Sequence, residues 1–262
     1  MDEMTLLPLL AAPFMGSFAG VLITRLPHGR PVIYARSACD SCGSGLSAHE
    51  LLPLFSYACQ RGRCRTCRAP IGFFHPAVEL AAITVAAIAL VATGALSGAP
   101  DMARLWGGCV LGWTLLTLGW IDLLTLRLPD ALTLPLVLAG LVECELINPA
   151  ALGNHAIGAG IGYAAFRLIA GAYRYIRGRE GLGQGDAKLL AAAGAWVGYE
   201  QLPLVIAGGS IVTLLAIGIM QMTRPVTHMP DDAWPARIPF GPGLALALWV
   251  LFLFGPGPWE TS

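Results

Sequence analysis

Two aspartates in this chain have surroundings that a purely structural carboxylate does not need. Asp186 closes the glycine-rich turn Gly181-Leu182-Gly183-Gln184-Gly185-Asp186-Ala187-Lys188, which lies between two long apolar segments. Arg174, Arg177 and Arg179 precede the turn, and Lys188 is the only lysine in the protein. Glycine at alternate positions lets a backbone bend sharply or come close to another chain. Asp122 ends another apolar run, within Trp120-Ile121-Asp122-Leu123-Leu124. A carboxylate at the edge of a membrane is expensive enough to need a reason. For Asp186 and for Asp130, N-capping of the helices that follow is one reason, and for Asp130 it suffices. Asp122 sits near the C-terminal end of its helix, where the dipole disfavours an anion, so capping does not explain it. Two carboxylates that meet cannot both ionise cheaply. One keeps its proton while the other acts as a base on water, as in aspartic proteases.

A second set of residues has metal chemistry. Cys39-x2-Cys42 is followed, after 21 intervening residues, by Cys64-x2-Cys67. Each short loop brings two sulfurs to one tetrahedral ion, so the four thiols predict one structural zinc site. Two disulfides are the other reading, and a reducing cytoplasmic location disfavours them. Cys59 is a fifth thiol whose spacing fits neither knuckle. Cys109 and Cys144 lie in apolar runs and read as small core residues. The arginines around Cys64 have no aromatic platform beside them, so nucleic acid is not an expected partner.

These residues are held by a chain built for lipid. With 56% hydrophobic and 12% charged residues and a mean hydropathy of +0.67, the composition is that of an all-α, polytopic membrane protein. Residues 25–76 are polar and rich in Cys and Arg, too polar to enter the bilayer. Eight apolar runs surround this block: 5–23, 78–96, 105–121, 131–147, 156–175, 188–196, 203–220 and 238–254. The long runs approach the roughly 20 residues that a helix needs to span the hydrocarbon. The sixth is short and either abuts or merges with the seventh, giving seven spans if it merges. Gly158, Gly160, Gly162, Ala191, Ala192, Ala193 and Gly194 suit close packing of the fifth and sixth. The first run has Asp2 and Glu3 ahead of it and no A-x-A site behind it, so it is expected to persist as a membrane helix. The expected division is a first span (1–24), a cytoplasmic zinc block (25–77) and a membrane domain (78–262).

The net formal charge of zero hides an asymmetry along the chain. With the N-terminus outside and eight spans, the inside loops hold the seven arginines from Arg25 to Arg68. They also hold Arg127, then Arg174, Arg177, Arg179 and Lys188, and finally Arg224 and Arg237. That is fourteen of the sixteen basic residues. The positive-inside rule therefore assigns the cysteine block and the glycine turn to the cytoplasmic side.

Several segments together resemble the type IV prepilin peptidases. They are Gly16-Ser17-Phe18, Arg25-Leu26-Pro27, Arg36-Ser37, both Cys pairs and Pro76-Ala77-Val78-Glu79-Leu80. Ile121-Asp122 with Leu128 to Pro135, Gly183 to Leu190 with Gly194 to Gly198, and Pro239-Phe240-Gly241-Pro242 complete the set. Three positions depart from the family pattern: Gly20 replaces an asparagine, His75 an aromatic residue and Asp40 a proline. The resemblance implies an enzyme of the bacterial inner membrane that removes the basic leader of prepilins or type II secretion pseudopilins. N-methylation of the new N-terminal residue from S-adenosylmethionine would follow. It carries the family's two catalytic aspartates onto Asp122 and Asp186. It also implies that Gly183 and Gly185, with Lys188 beside them, admit and position the extended cleavage segment at the membrane boundary. The cytoplasmic block is too short for a Rossmann domain to hold the methyl donor.

Two other classes compete. Intramembrane proteases of signal peptides or preflagellins share the G-x-G-D element but generally lack the cysteine block. A membrane scaffold or ion-conducting subunit would use the zinc knuckles to bind a partner and the aspartates to line an ion path. Only an enzyme would cleave a leader.

Overall fold

A computed structural model describes residues 3–34, 36–94, 101–178, 183–223 and 239–255. Among these residues there are helices and no strands; two isolated bridges, Ala38 with Gly45 and Arg63 with Pro70, are the only sheet-like pairings. Apolar runs without water must satisfy their backbone internally, and the helix does so within one segment. The helices are α1 (Glu3–Arg25), α2 (Phe55–Cys59), α3 (Phe74–Ala92), α4 (Met102–Thr125), α5 (Asp130–Ile147), α6 (Leu152–Arg177), α7 (Gln184–Val197), α8 (Leu202–Thr223) and α9 (Gly241–Phe254).

Among the described residues, five helical stretches are long and apolar enough to cross a membrane: Met4–His28, Phe74–Ala92, Met102–Thr125, Pro149–Arg177 and Leu202–Met222. They correspond to five of the eight expected spans. The other three also form helices, but α5 carries Asp130, Glu143 and Glu145, while α7 and α9 have 14 residues each. At 1.5 Å per residue, such a helix is about 21 Å long, short of the ~30 Å hydrocarbon core. The sixth run does not merge with the seventh. Gly198, at φ +76°, ends α7 before α8 begins. Arg179, Gly181, Leu182, Arg224, Arg237 and Ile238 lie outside the described residues.

The chain divides into two compact units, 1–117 and 118–262. In the first, α1 lies against α3. Gly16 allows this, because a Cβ there would sit 2.5 Å from the Glu79 Cα. Trp113 Nε1 of α4 donates to the Ala82 carbonyl of α3 at 3.0 Å. The buried Glu79 accepts the Leu54 N–H at 2.8 Å, tying the segment before α2 to α3.

The second unit is arranged around α7, ten of whose fourteen residues are buried. A short helix buried over most of its length is a core element. Trp196 Nε1 donates to the Leu136 carbonyl of α5 at 2.8 Å, and its ring meets Phe252 of α9 edge-on at 5.3 Å. The buried His155 of α6 bonds through Nδ1 to the Ala195 carbonyl at 2.9 Å. Of the small residues expected to pack, Gly158 and Gly162 face α7 and Gly160 does not. A Cβ on Gly162 would lie 2.5 Å from the Leu190 carbonyl oxygen, and one on Gly194 would strike the Gly158 backbone. Gly160 has open space around it. Replacing Gly194 with Val should therefore abolish recovery of folded protein, whereas Gly160→Ala should leave the detergent melting temperature unchanged or slightly raised. Thermal melts of the two purified variants check this.

Candidate active site

Asp122 and Asp186 are both buried, at 5% and 8% exposure. They belong to the same unit and are close enough for the charge on Asp122 to act on Asp186. Asp122 lies in the last turn of α4, as the sequence predicts. Leu126 then ends the helix in the left-handed region at φ +54°, its N–H returning to the Asp122 carbonyl at 2.9 Å. A leucine in that conformation costs about 1–2 kcal/mol. The Asp122 carboxylate, at the unfavourable end of its own helix, accepts the Gly241 N–H at 3.1 Å. Gly241 is the first residue of α9, so the positive end of a second helix dipole faces the anion.

Asp186 is not the N-cap of its helix. Helix α7 starts at Gln184 with the extended Gly183 as N-cap, which puts Asp186 at the third helical position. From there its carboxylate reaches back to the Gly183 backbone N–H. This is the N3 half of a capping box, and a glycine cap has no side chain to supply the other half. Asp130 also differs from expectation. Pro129 is the N-cap of α5, and Asp130 occupies the first turn, where its carboxylate pairs with Lys188. Lys188, expected beside the substrate, is held in this pair at the first turns of α5 and α7. An exposed pair of this kind contributes at most about 1 kcal/mol.

Gly183 lies beside the Asp186 carboxylate; a Cβ there would be 3.0 Å from Oδ2. Gly185 faces the buried Leu128, whose Cβ would be 2.8 Å from a Cβ at 185. Its bare face is therefore covered by the loop between α4 and α5, the same loop that follows Asp122.

Cys39, Cys42, Cys64 and Cys67 converge in the first unit. Their sulfurs all lie within 4.8 Å of one another, a set that can hold a metal ion. The two knuckles are built alike. Cys39 N–H bonds to Ser44 O and Gly43 N–H to Cys39 O; 25 residues on, Cys64 N–H bonds to Ala69 O and Arg68 N–H to Cys64 O. Gly43 and Arg68 are both left-handed, at φ +70° and +62°. Backbone N–H groups of Cys67 and Thr66, directed at the Cys64 sulfur, hold its thiol down at about 6. All seven cysteines are free thiols. Cys59 is exposed and outside the cluster, while Cys109 and Cys144 are buried in helices, as expected.

No role of their own is expected for Gly241 and Glu79 from the sequence. Both sit in segments that contributed only to the family resemblance. For Gly241 a further signal was present: a Gly-Pro pair opening an apolar run marks a helix N-terminus, the place where an anion is welcome.

Comparison with known proteins yields two family matches. Residues 10–93 match the bacterial peptidase A24 N-terminal domain, and residues 109–219 match the type IV leader peptidase family. The chain is 39% identical over 224 residues to a prepilin leader peptidase/N-methyltransferase of Aeromonas hydrophila, covering 84% of this chain and 72% of the relative. A protein of the same name from Burkholderia pseudomallei (strain K96243) is 39% identical over 266 residues, covering 92% and 82%. One from Pseudomonas aeruginosa is 35% identical over 230 residues, covering 86% and 73%. No solved structure matches.

The contact between Gly185 and Leu128 is directly testable. Gly185→Ala should destabilise the fold by about 1–3 kcal/mol through overpacking, and adding Leu128→Ala should return part of that loss. A detergent melt of the two single variants and the double variant reads the coupling; additive effects would show that the two side chains do not compete for the same space.

Proposed function

The chain belongs to the type IV leader peptidase family, and from that membership we propose that it is a membrane aspartic endopeptidase that removes the leader of prepilins or type II secretion pseudopilins and then N-methylates the new terminus. The observation that carries this reading is the interacting pair of buried carboxylates, Asp122 and Asp186, within the segment matched by the family. In the proposed reaction, water attacks the scissile carbonyl carbon and its proton passes to the ionised carboxylate. The protonated carboxyl donates to the peptide as the C–N bond breaks, leaving a new amine. The charge of Asp122 acting on Asp186 supports a division into one acid and one base.

An external N-terminus and a cytoplasmic active site are supported by the basic residues of the loops, and placement in the inner membrane follows from the family resemblance. A leader bond between a basic segment and an apolar helix would rest at that same boundary. Gly183, at the Asp186 carboxylate, is the residue we assign to close approach of the extended substrate. Gly185 and Lys188 would act through the loop and through Asp130. The eight-span count and the division at residues 24 and 77 belong to this reading as well.

Zinc is the ion proposed for the cysteine cluster. Four sulfurs at the ~2.3 Å tetrahedral zinc–sulfur distance lie about 3.8 Å apart, and Cys39 Sγ to Cys67 Sγ is 3.9 Å. All four thiolates are used, leaving no open position, so the ion is structural. S-adenosylmethionine, the donor that the methyltransferase name implies, supplies the methyl group to the amine. Among the described residues no strand-to-helix glycine loop is present to hold its adenosyl part.

Leader cleavage in detergent or liposomes tests the assignment. Asp122→Asn and Asp186→Asn should each lower cleavage at least ~10³-fold, while Asp130→Asn should retain most of it. Mass spectrometry of the product N-terminus reads cleavage position and methylation together. A parent protein that cleaves nothing would return the reading to a scaffold or ion-path protein.

The metal reading has its own measurement. Purified protein should contain about one equivalent of zinc. Changing Cys64 and Cys67 to Ser should release it and raise proteolysis within residues 25–77 before membrane-domain stability changes. Metal-free parent protein would overturn it.

A further inference from the structure

The Gly241 N–H lies 3.1 Å from Asp122 Oδ2, and the bare α-carbon of the same residue faces the same carboxylate. A Cβ at position 241 would stand 2.6 Å from Oδ2 and 3.0 Å from Cγ. Position 241 therefore both holds the carboxylate and leaves it room. Pro242, next in the helix, has no N–H of its own to offer. We infer that Gly241 is a positioning residue for cleavage, its N–H and its missing side chain together fixing where the Asp122 carboxylate stands.

The fixing is only as good as the seat of the first turn of α9, and that seat is well defined. Against α8, a Cβ on Gly243 would lie 2.5 Å from the Gly209 carbonyl oxygen, and one on Gly209 would lie 3.1 Å from the Leu244 Cα. Against α4, a Cβ on Gly119 would be in ordinary contact with Pro242 at 3.7 Å. Phe240, the N-cap residue, stacks on Phe166 of α6 with ring centroids 6.4 Å apart and planes 29° apart. Three helices thus hold one N–H on one carboxylate oxygen. Glycine is needed at 241 for room at the carboxylate and not for an unusual backbone, because Gly241 is not among the positive-φ residues.

This inference rests on the peptidase reading, and one experiment separates the two. Steady-state leader cleavage is measured for the parent, Asp122→Asn, Gly241→Ala and Gly243→Ala, with a detergent melt of each. Alanine at 241 moves the Asp122 carboxylate without disturbing the α8 contact, so kcat should fall about 10²-fold, the cost of a misplaced reacting group. KM should stay within about twofold, the melting temperature should match the parent, and methylation of a supplied leaderless substrate should be unchanged. Gly243→Ala should instead lower the melting temperature, which calibrates a purely structural loss. Gly241→Ala with parental kcat, in a protein whose Asp122→Asn variant is dead, overturns the inference alone. So does a loss of kcat matched by a fall in melting temperature like that of Gly243→Ala. A parent that does not cleave overturns the peptidase reading, and this inference falls with it.

Discussion

Two buried carboxylates, Asp122 and Asp186, lie close enough for the charge of one to act on the other, and the second unit sets the N-terminal end of a helix against each of them. Neither group has a cation beside it among the described contacts. Each instead receives a backbone N–H from the N-terminal end of a helix: Gly183 for Asp186 and Gly241 for Asp122. Backbone dipoles fixed by helix packing cost no side-chain ordering and bring no counter-charge that would quench an acid–base pair. Lys188, the one lysine, is kept on Asp130. A cation bound directly to either aspartate would favour its ionised form and remove the asymmetry that the proposed chemistry needs.

The first turn of α7 carries Asp186, and close contacts with α6 hold this helix in place. Gly194 meets the Gly158 backbone, Gly162 meets Leu190, and the Trp196 indole is bonded to α5. Without a hydrophobic drive between helices in lipid, such backbone proximity and interhelical hydrogen bonds are what remains to hold position. The same device repeats at α8 and α9 through Gly209 and Gly243, which seats the second N–H donor.

Much of this was legible in the sequence because it is written in composition and local spacing. Apolar runs locate the helices, the paired Cys-x2-Cys loops locate the metal-ligand set, and the position of Asp122 at the wrong end of its helix marks it as unusual. What sequence reading could not reach is which group faces which. Capping preferences assigned Asp130 to an N-cap and offered the same for Asp186, but the caps lie earlier, at Pro129 and Gly183; Asp130 pairs with Lys188, and Asp186 bonds back to its own cap. The Gly241 contact joins residues 119 positions apart and leaves no local trace. Span counting runs out for a related reason. Helices α5, α7 and α9 satisfy part of their surface with protein, so neither length nor apolarity has to match the bilayer.

The departures from the family pattern in the first unit show the same limit from another side. Read along the chain, Gly20, Asp40 and His75 are three unrelated changes, one in α1, one inside a knuckle and one at the start of α3. In the fold they belong together. A Cβ on Gly20 would lie 2.5 Å from His75 Nδ1, so a side chain at 20 would require this imidazole to shift. The charge of Asp40 reaches His75 in turn. A proline within the knuckle would supply no such charge. The imidazole thus lies over the bare face of Gly20 and within reach of the Asp40 charge. The three positions are thus neighbours in packing and charge, joining the cysteine block to the α1–α3 pair.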